Sequence, residues 1–431
     1  MRVLIISATF PPVKSGGANY AFHFSQHLAA RGADVHVLTS RIEGVQSPEG
    51  VRVYPLMRDW SWRELPKLLR LARRLRPDVV NLHFHGLIYH NHPMITFALT
   101  PLKRLLPRAR AVTLIEWPTG IELDLSRRAA SVAYRAAAHA FGTRDLDQGY
   151  GTILRDSDGV ILLSDSHLSM VERHYRRAAE KCVVIPAPPL MKIAPEEGGA
   201  TRRRGREALS VADDEFLLMY YGYIYPQKGL ETLLGALGRV AARRGGVRLV
   251  AAGGSNEVVL KEMGRPLYAE ELRETAHRLG IGDRVIWTGY CPSDTEQASV
   301  YFRSADACVL PFELGVYLNN SSFSVAATHG VPIVTTRPAV LDPGILDGEN
   351  VLLFPPREPE ALAAAVETLM DDEGLRQRLG RGALELARAC LSWERAMDHY
   401  LRQFDRFSDI QEARPRPLSA LELQHEHADG R

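Results

Sequence analysis

The segment VYLNNSSFSVAATHGVPIVTT, from Val316 to Thr336, has the pattern of a short helix followed by a buried strand. SFSVAAT has a helical composition, and Gly330 follows it where a left-handed C-terminal cap is expected. VPIVTT then has the density of β-branched residues that is typical of a buried strand. The segment therefore predicts one helix-to-strand step of an α/β fold.

Four small polar residues, Asn319 to Ser322, stand directly before this predicted helix. Asn and Ser side chains accept hydrogen bonds from the free N–H groups of a first helical turn. The same N–H groups, with the positive end of the helix dipole, can also bind a phosphate. On these residues alone both interpretations stay open, and a plain cap is the simpler one because it needs no ligand.

The alternation of strand and helix patterns extends from this segment through most of the chain. Strand patterns separated by helical ones are MRVLIISATF, ADVHVLTS, PDVVNLHFH, ARAVTLIEW and DGVILLS in the first half, and EFLLMYYG, VRLVAAGG, RVIWTG and DACVLP in the second. Such alternation predicts parallel sheets covered by helices on both faces. We therefore predict two doubly wound α/β domains, with ligands outside the carboxyl ends of the strands.

A break in this rhythm marks the predicted domain boundary. PAPPLMKIAPEEGGATRRRGR, from Pro186 to Arg206, is rich in Pro, Gly and charge. We place the N-terminal domain at 1–188 and the second domain at 189–390. Residues 391–409 are predicted to form a C-terminal helix, and 410–431 have little periodicity, which predicts a disordered tail.

The composition limits the classes of function. The chain has 431 residues, 45% apolar residues and a formal net charge of +2, which is a soluble balance and argues against nucleic acid as a partner. The four cysteines are far apart and form no disulfide or zinc pattern. No signal peptide or membrane-spanning run is recognisable. We expect a cytoplasmic protein.

Two sequence features could bind an anion. Gly16 and Gly17 lie between the first strand and the first helix, where backbone N–H groups can approach a phosphate, although a tight turn explains the glycines equally well. Lys228 and Gly229 lie where a helix begins after the strand EFLLMYYG. A lysine at that end opposes the helix dipole, so a bound anion explains it better than local stability does.

Polar residues also follow the strands of the first half. His83 and His85 lie at one strand end, and Glu116 lies at the next, where it could orient an acceptor hydroxyl or merely pair with an arginine. No carboxylate or cysteine completes a metal site with the histidines. Asp145–Asp147, DLD, resembles a metal-binding DxD, but its helical, Gly-flanked setting argues against that role. We therefore predict no metal.

A basic amphipathic segment, RELPKLLRLARRLR, allows two interpretations. Its leucines recur at helical spacing and its arginines lie mostly elsewhere on the helical wheel. Such a helix can lie on an anionic membrane surface, but more often it covers a sheet and exposes its charged face to water. Peripheral membrane contact therefore stays an open alternative.

In their order along the chain, these motifs resemble those of glycosyltransferase family 4, the retaining, nucleotide-sugar-dependent enzymes of the GT-B type. The resemblance covers nearly all of residues 1–406. It rests on PPVKSGGANY, PDVVNLH, DGVILLSDSHLSMVERHY, GYIYPQKGLETLL, LVAAGG, LGIGDRVIWTGYCPSDTEQASVYFRSADACVLPF, HGVPIVTT, LDGENVLLFPPREPEALAAAV and LSWERAMDHYL.

The resemblance implies two Rossmann-like domains facing a cleft, with the C-terminal helix crossing back to the N-terminal domain. It places the donor pyrophosphate at the N-terminus of the helix that starts near Ser321, which makes cap and phosphate site one feature. The residues it implies for donor binding are Gly16, Gly17, Tyr223, Lys228, Gly254, Tyr290, Tyr317, Asn320, Ser321 and Ser322. Lys228, Glu116 and His83 are the candidate catalytic residues.

Three departures from the family pattern stand out. The family's paired glutamates are Tyr317 and Val325 here, and valine cannot accept hydrogen bonds from a ribose. The arginine usually found beside the donor phosphates is Tyr223. The histidine often found in the strand near Thr113 is Ile115, with Glu116 following it.

The predicted function is retaining transfer of a sugar from a nucleotide diphosphate to a hydroxyl or amine of a small-molecule, lipid or glycan acceptor, without a cofactor. Two alternatives remain. A sugar-nucleotide epimerase or hydrolase would use His83, His85 or Glu116 for proton transfer. A non-catalytic homologue that binds a sugar nucleotide or a partner transferase would account for the lost glutamates.

Overall fold

A computed structural model describes residues 1–117, 149–174, 180–197 and 199–405, together with Val132, Ala136 and His139. The predicted tail at 410–431 and the DLD sequence lie outside these residues. The described chain forms two compact units. Of the described residues, one unit contains those of Met1–Pro186 and 393–405, and the other contains those of Ala187–Ser392. The sequence analysis places the corresponding boundaries after residues 188 and 390.

The first unit contains a parallel sheet of the order β3-β2-β1-β4-β5-β6-β7. Its strands are β1 (Arg2–Ile6), β2 (Asp34–Ser40), β3 (Val51–Met57), β4 (Val79–Phe84), β5 (Arg110–Ile115), β6 (Gly159–Leu162) and β7 (Cys182–Val184). Its helices are α1 (Gly16–Ala30), α2 (Leu65–Leu75), α3 (Met94–Phe97), α4 (Leu99–Leu105), α5 (Ile153–Asp156) and α6 (Ser166–Glu172).

The second unit repeats this plan with the parallel order β10-β9-β8-β11-β12-β13. Its strands are β8 (Phe216–Tyr221), β9 (Val247–Ala252), β10 (Val285–Gly289), β11 (Ala307–Leu310), β12 (Ile333–Thr336) and β13 (Leu352–Phe354). Its helices are α7 (Ala200–Ala208), α8 (Leu230–Arg243), α9 (Glu257–Glu262), α10 (Tyr268–Arg278), α11 (Gln297–Ser304), α12 (Ser321–Thr328), α13 (Pro359–Asp371) and α14 (Glu373–Cys390). The last helix of the chain's described part, α15 (Trp393–Phe404), belongs to the first unit.

Each sheet has an apolar core on both faces, as the continuous β-branched runs of its strands predict. In the first unit, Leu4 and Leu82 pack with Leu68 and Leu102 from α2 and α4 on one face. In the second unit, successive side chains of each strand point into two different cores, one on each face of the sheet. Helices α8, α10 and α13 cover one core, and α11, α12 and α14 cover the other. The prediction of helices on both sides of parallel sheets is confirmed.

Two strands of the first sheet, β3 and β7, were absent from the sequence interpretation. Strand β3 lies beside β2 at one edge of the described sheet, and it contains Pro55. Proline lacks an N–H group and is tolerated at a sheet edge, whereas in a sequence it argues against a strand.

The order of each sheet places a topological switch point beside its first strand. In the first sheet the order reverses between β1 and β4, and in the second it reverses between β8 and β11. Ligands of doubly wound sheets bind outside the carboxyl ends of the strands at such a point. The loops after these four strands are therefore where the site residues must be sought.

Candidate functional site

In the second unit, the loops after β8 and β9 approach each other and the start of α12 closely. Gly222 has a φ of 143°, and a Cβ atom there would lie 2.9 Å from Oγ of Ser322. A Cβ atom on Gly253 would lie 1.8 Å from the carbonyl oxygen of Gly222. Side chains are excluded at both positions, so backbone lines the space before α12.

The helix predicted from the segment Val316–Thr336 is α12, and its end is confirmed. His329 is the C-terminal cap, and Gly330 follows with a φ of 63°. At its start, the Asn320 side chain makes no capping hydrogen bond. Within the part of the chain that the structure describes, the backbone N–H groups of Ser321 and Ser322 have no acceptor. The cap interpretation therefore lacks its hydrogen bond, and the first-turn donors remain available to an anion.

Lys228 lies beside the same switch point, in a 3₁₀ turn, Pro226–Lys228, that leads into α8. The turn is held against the loop after β11, because Glu313 donates its N–H to the Gln227 carbonyl at 3.0 Å. The Lys228 ammonium lies 4.6 Å from the ring centre of Phe312. Among the described residues, no carboxylate forms an ion pair with it. A half-buried ammonium held over an aromatic ring is a suitable partner for a phosphate.

The aromatic residues predicted on the donor side lie around these loops. The rings of Tyr223 and Tyr290 stack with centres 6.2 Å apart, and a Cβ atom on Gly254 would lie 3.0 Å from Cβ of Tyr290. Tyr317 is half-buried, and burial, with a smaller effect of Asp342, raises its pKa. Val325 is fully buried in the core, so its side chain is not available to a ligand.

In the first unit, Gly16 and Gly17 form the first turn of α1, after β1. Ser15 caps this helix, because its hydroxyl accepts the Ala18 N–H at 3.1 Å. Glu116 follows β5, and its carboxylate lies against the same turn: a Cβ atom on Gly17 would lie 2.7 Å from Oε2 of Glu116. Burial raises the pKa of Glu116 to about 7. Oε1 of Glu116 has no hydrogen-bond partner in the described part of the chain, and the acceptor-orienting role of this residue stays a prediction.

His83 lies in β4 and is fully buried, with Nε2 2.9 Å from Oδ1 of Asn81. Its ring packs against Tyr20 and Phe24 of α1, and burial lowers its pKa to about 3. With no exposed surface, His83 has no access to a substrate in this conformation. Its prediction as a catalytic residue therefore lacks geometric support, because the inward alternation of β4 turns this side chain toward α1.

Sequence reasoning missed two buried polar groups. Asp342 accepts the Leu318 N–H at 2.7 Å and thereby fixes the loop before α12. His167, at the start of α6, is almost fully buried beside Trp117, and neither ring nitrogen has a hydrogen-bond partner among the described residues. Nothing in the local sequence signals either contact, since both depend on segments from elsewhere in the chain.

The described residues contain neither a metal-binding cluster nor a helix that could cross a membrane. No three His, Cys, Asp or Glu side chains converge on a point where they could hold a metal ion. No helix in the described ranges combines the length and apolar character that a membrane crossing requires.

Known structures share this architecture along almost the whole chain. Anabaena HepE, solved in complex with UDP and glucose, superimposes with a TM-score of 0.67 at 17% identity, over 93% of this chain and 98% of that chain. Sucrose-phosphate synthase from Thermosynechococcus elongatus gives a TM-score of 0.66 at 19% identity, over 94% and 98%. The two Rossmann-like domains define the GT-B class of fold.

Sequence comparison gives the family. Residues 14–188 match the family described as Glycosyltransferase Family 4, and residues 215–372 match Glycosyl transferases group 1. A D-inositol 3-phosphate glycosyltransferase of Xylanimonas cellulosilytica is 25% identical over 426 residues, which cover 92% of this chain and 94% of that protein. The chain belongs to glycosyltransferase family 4 and is a nucleotide-sugar glycosyltransferase.

Proposed function

We propose that this enzyme is a retaining transferase that binds the diphosphate of its donor at the N-terminus of α12 and at Lys228. One observation carries the proposal: the N–H groups of Ser321 and Ser322 and the Lys228 ammonium, which have no partner among the described residues, follow the two strands that flank the second switch point. The backbone N–H groups donate hydrogen bonds from the positive end of a helix dipole, and the ammonium donates hydrogen bonds and carries a positive charge. Both kinds of group favour binding of an anionic phosphate.

The reaction then needs little covalent chemistry from the protein. The bond between the anomeric carbon and the diphosphate oxygen breaks, and a bond to the acceptor oxygen or nitrogen forms on the same face. The acceptor proton passes to the leaving diphosphate. Lys228 and the α12 amides stabilise the charge that develops on that diphosphate. In the first unit, considered by itself, Gly16 and Gly17 are the candidates for binding an anion, and Glu116 is the candidate for orienting an acceptor hydroxyl.

These fixed donors fill the role that a metal ion has in other nucleotide-sugar enzymes, so we propose a reaction without metal or other cofactor. UDP is the first nucleotide to test, because HepE binds it in a fold of the same class. A sugar or other polyol acceptor is the first acceptor class to test, because relatives include an inositol phosphate glycosyltransferase and a glycogen synthase of Mycobacterium tuberculosis.

We place the enzyme in the cytoplasm, with the basic face of α2 as its contact with an anionic membrane surface. Leu68, Leu71 and Leu75 of α2 are buried, while Arg70, Arg73 and Arg74 are exposed. Such a face binds anionic lipid through charge, so sedimentation with phosphatidylserine vesicles should decrease as salt increases.

Thermal melting against UDP, ADP, GDP and dTDP tests the donor site. A ligand of the native state at about a hundredfold excess over Kd raises stability by about 2.7 kcal/mol. We expect one nucleotide to raise Tm, and Lys228→Ala to abolish the rise. Lys192→Ala is the matched control, since Lys192 is an exposed lysine of the same unit that pairs with Glu296. A nucleotide shift that survives Lys228→Ala unchanged would remove Lys228 from the site.

A further inference from the structure

The loop that leads into α12 is fixed at one residue, Leu318. Its side chain is buried in a core of the second unit. Its N–H donates to Oδ2 of Asp342 at 2.7 Å, and its carbonyl accepts the Ala187 N–H at 3.0 Å. The side chain, the donor and the acceptor of this one residue are therefore all held, shortly before the first turn of α12.

The two groups that hold Leu318 are themselves fixed within the second unit. Asp342 is almost fully buried after β12, and its own carbonyl accepts the Ile345 N–H at 3.0 Å, which closes a turn. The Ala187 carbonyl accepts a hydrogen bond from the buried Ser324 hydroxyl of α12. The loop before α12 is thus tied to two segments that are distant in sequence, and its conformation is set before any ligand binds.

Asp342 cannot serve the proposed donor site as a ligand of the diphosphate. Its side chain has almost no exposed surface, and a carboxylate would repel a phosphate instead of binding it. Its contact with the site runs through the peptide that it holds. A carboxylate suits that task, because a hydrogen bond to an ionised acceptor is roughly twice as strong as one between neutral groups.

We propose that Asp342 is a positioning residue for sugar transfer: by holding the Leu318 peptide, it keeps the N–H groups of Ser321 and Ser322 in the geometry that binds the donor diphosphate. This inference rests on the proposed function. Without Asp342, the loop before α12 would have to become ordered when the donor binds. Ordering the backbone of one residue on binding weakens affinity by about tenfold.

Titration calorimetry with a nucleoside diphosphate tests this role. The probe is whichever of UDP, ADP, GDP or dTDP gives the largest rise in Tm. Asp342→Ala removes the acceptor of the Leu318 N–H and should raise the Kd of the probe by about tenfold. Asp342→Asn keeps an oxygen that can accept the same N–H, so it should restore most of the affinity.

Asp306 provides the matched control for a general loss of stability. It lies directly before β11, and its Oδ2 accepts the Leu217 N–H at 2.8 Å near the start of β8. This contact is at the amino ends of the strands, whereas the proposed donor site is at their carboxyl ends. Asp306→Ala should lower the stability of the second unit, as Asp342→Ala does, and leave the Kd of the probe unchanged.

Three results would overturn the inference and leave the donor site in place: unchanged affinity in Asp342→Ala, an equal loss in Asp306→Ala, or an Asp342→Asn variant as weak as Asp342→Ala. If no nucleotide raises the Tm of the wild type, the proposed donor site fails and this inference fails with it. If Asp342→Ala does not fold, Ser324→Ala replaces it, because it releases the Ala187 carbonyl. Ser324→Ala should also weaken binding of the probe, and unchanged affinity there overturns the inference.

Discussion

At the scale of single residues, the contact between Gly17 and Glu116 leads to predictions about stability and about its dependence on pH. The two glycines at the start of α1 differ sharply in their surroundings. A Cβ atom on Gly16 would meet no atom of the described residues within 4 Å, whereas one on Gly17 would press on the Glu116 carboxylate. The sequence GG therefore contains one glycine that is required for close packing and one that is not.

Gly17→Ala should destabilise the first unit by roughly 1–3 kcal/mol, because the added methyl group forces the carboxylate to move. Gly16→Ala is the control and should be neutral or slightly stabilising. In a Glu116→Ala background, Gly17→Ala should lose its cost, as a double-mutant cycle in urea will measure. An equal cost in both backgrounds would mean that the backbone, rather than Glu116, requires the glycine.

Burial of Glu116 also predicts how stability depends on pH. Its folded-state pKa of about 7 exceeds the ordinary value of 4.5. The folded state therefore binds more protons between these values, and the stability from this group, complete below about 4.5, is lost as pH rises to about 7. Glu116→Gln should match wild type near pH 4.5 and exceed it above pH 7, by at most about 3 kcal/mol. Denaturant melts across this range will show whether the two curves diverge.

At the scale of helices and turns, the sequence was informative where a signal is local. The strand after Gly330, the helix before it, and the position of Lys228 at the start of α8 all follow from composition and from cap residues over a few positions. The contact of Glu116 with Gly17 could not be predicted, because it depends on the relative positions of β1 and β5 in the sheet. The burial of His83 likewise depends on α1 lying over β4.

The position of Lys228 in its 3₁₀ turn leads to a prediction about the rate of sugar transfer. Lys228→Ala should lower turnover by about 10²–10³ with donor saturating, because it removes one fixed positive charge from the leaving diphosphate. Lys192→Ala should leave turnover unchanged. Steady-state assays with a nucleotide sugar test this, and near-normal turnover in Lys228→Ala would show that the lysine has no role in the chemical step.

The helix ends of the second unit differ in what their capping residues do. Asp372 caps α14, since its Oδ1 accepts the Leu375 N–H at 2.8 Å, whereas the Asn320 side chain makes no such bond at α12. Asp372→Ala should therefore cost about 1 kcal/mol, and Asn320→Ala less than about 0.5 kcal/mol. Chemical denaturation of both variants without nucleotide provides the comparison. A large cost for Asn320→Ala would restore the plain cap interpretation of Asn319–Ser322.

At the scale of the whole molecule, two units with separate cores should respond separately to damage. Tyr400 of α15 is fully buried in the first unit, and Tyr268 of α10 is fully buried in the second. Tyr400→Ala should destabilise β1 and its neighbours by about 3–5 kcal/mol, and Tyr268→Ala should do the same to β8 and its neighbours. Hydrogen exchange resolved by peptide will assign each effect. Equal acceleration in both sheets from either variant would mean that the molecule unfolds as one cooperative unit.

The chain leaves the first unit at Pro186 and supplies that unit again from Trp393. The ring of Trp393 stacks on His27 of α1 with centres 4.6 Å apart, and Tyr400 packs on Phe24 at the same separation. During synthesis the ribosome therefore releases all of the second unit before it releases the helix that completes the first. The unit that is synthesised first therefore completes its fold last. Until α15 packs against it, the apolar face of α1 stays exposed and could bind a chaperone that recognises apolar surface.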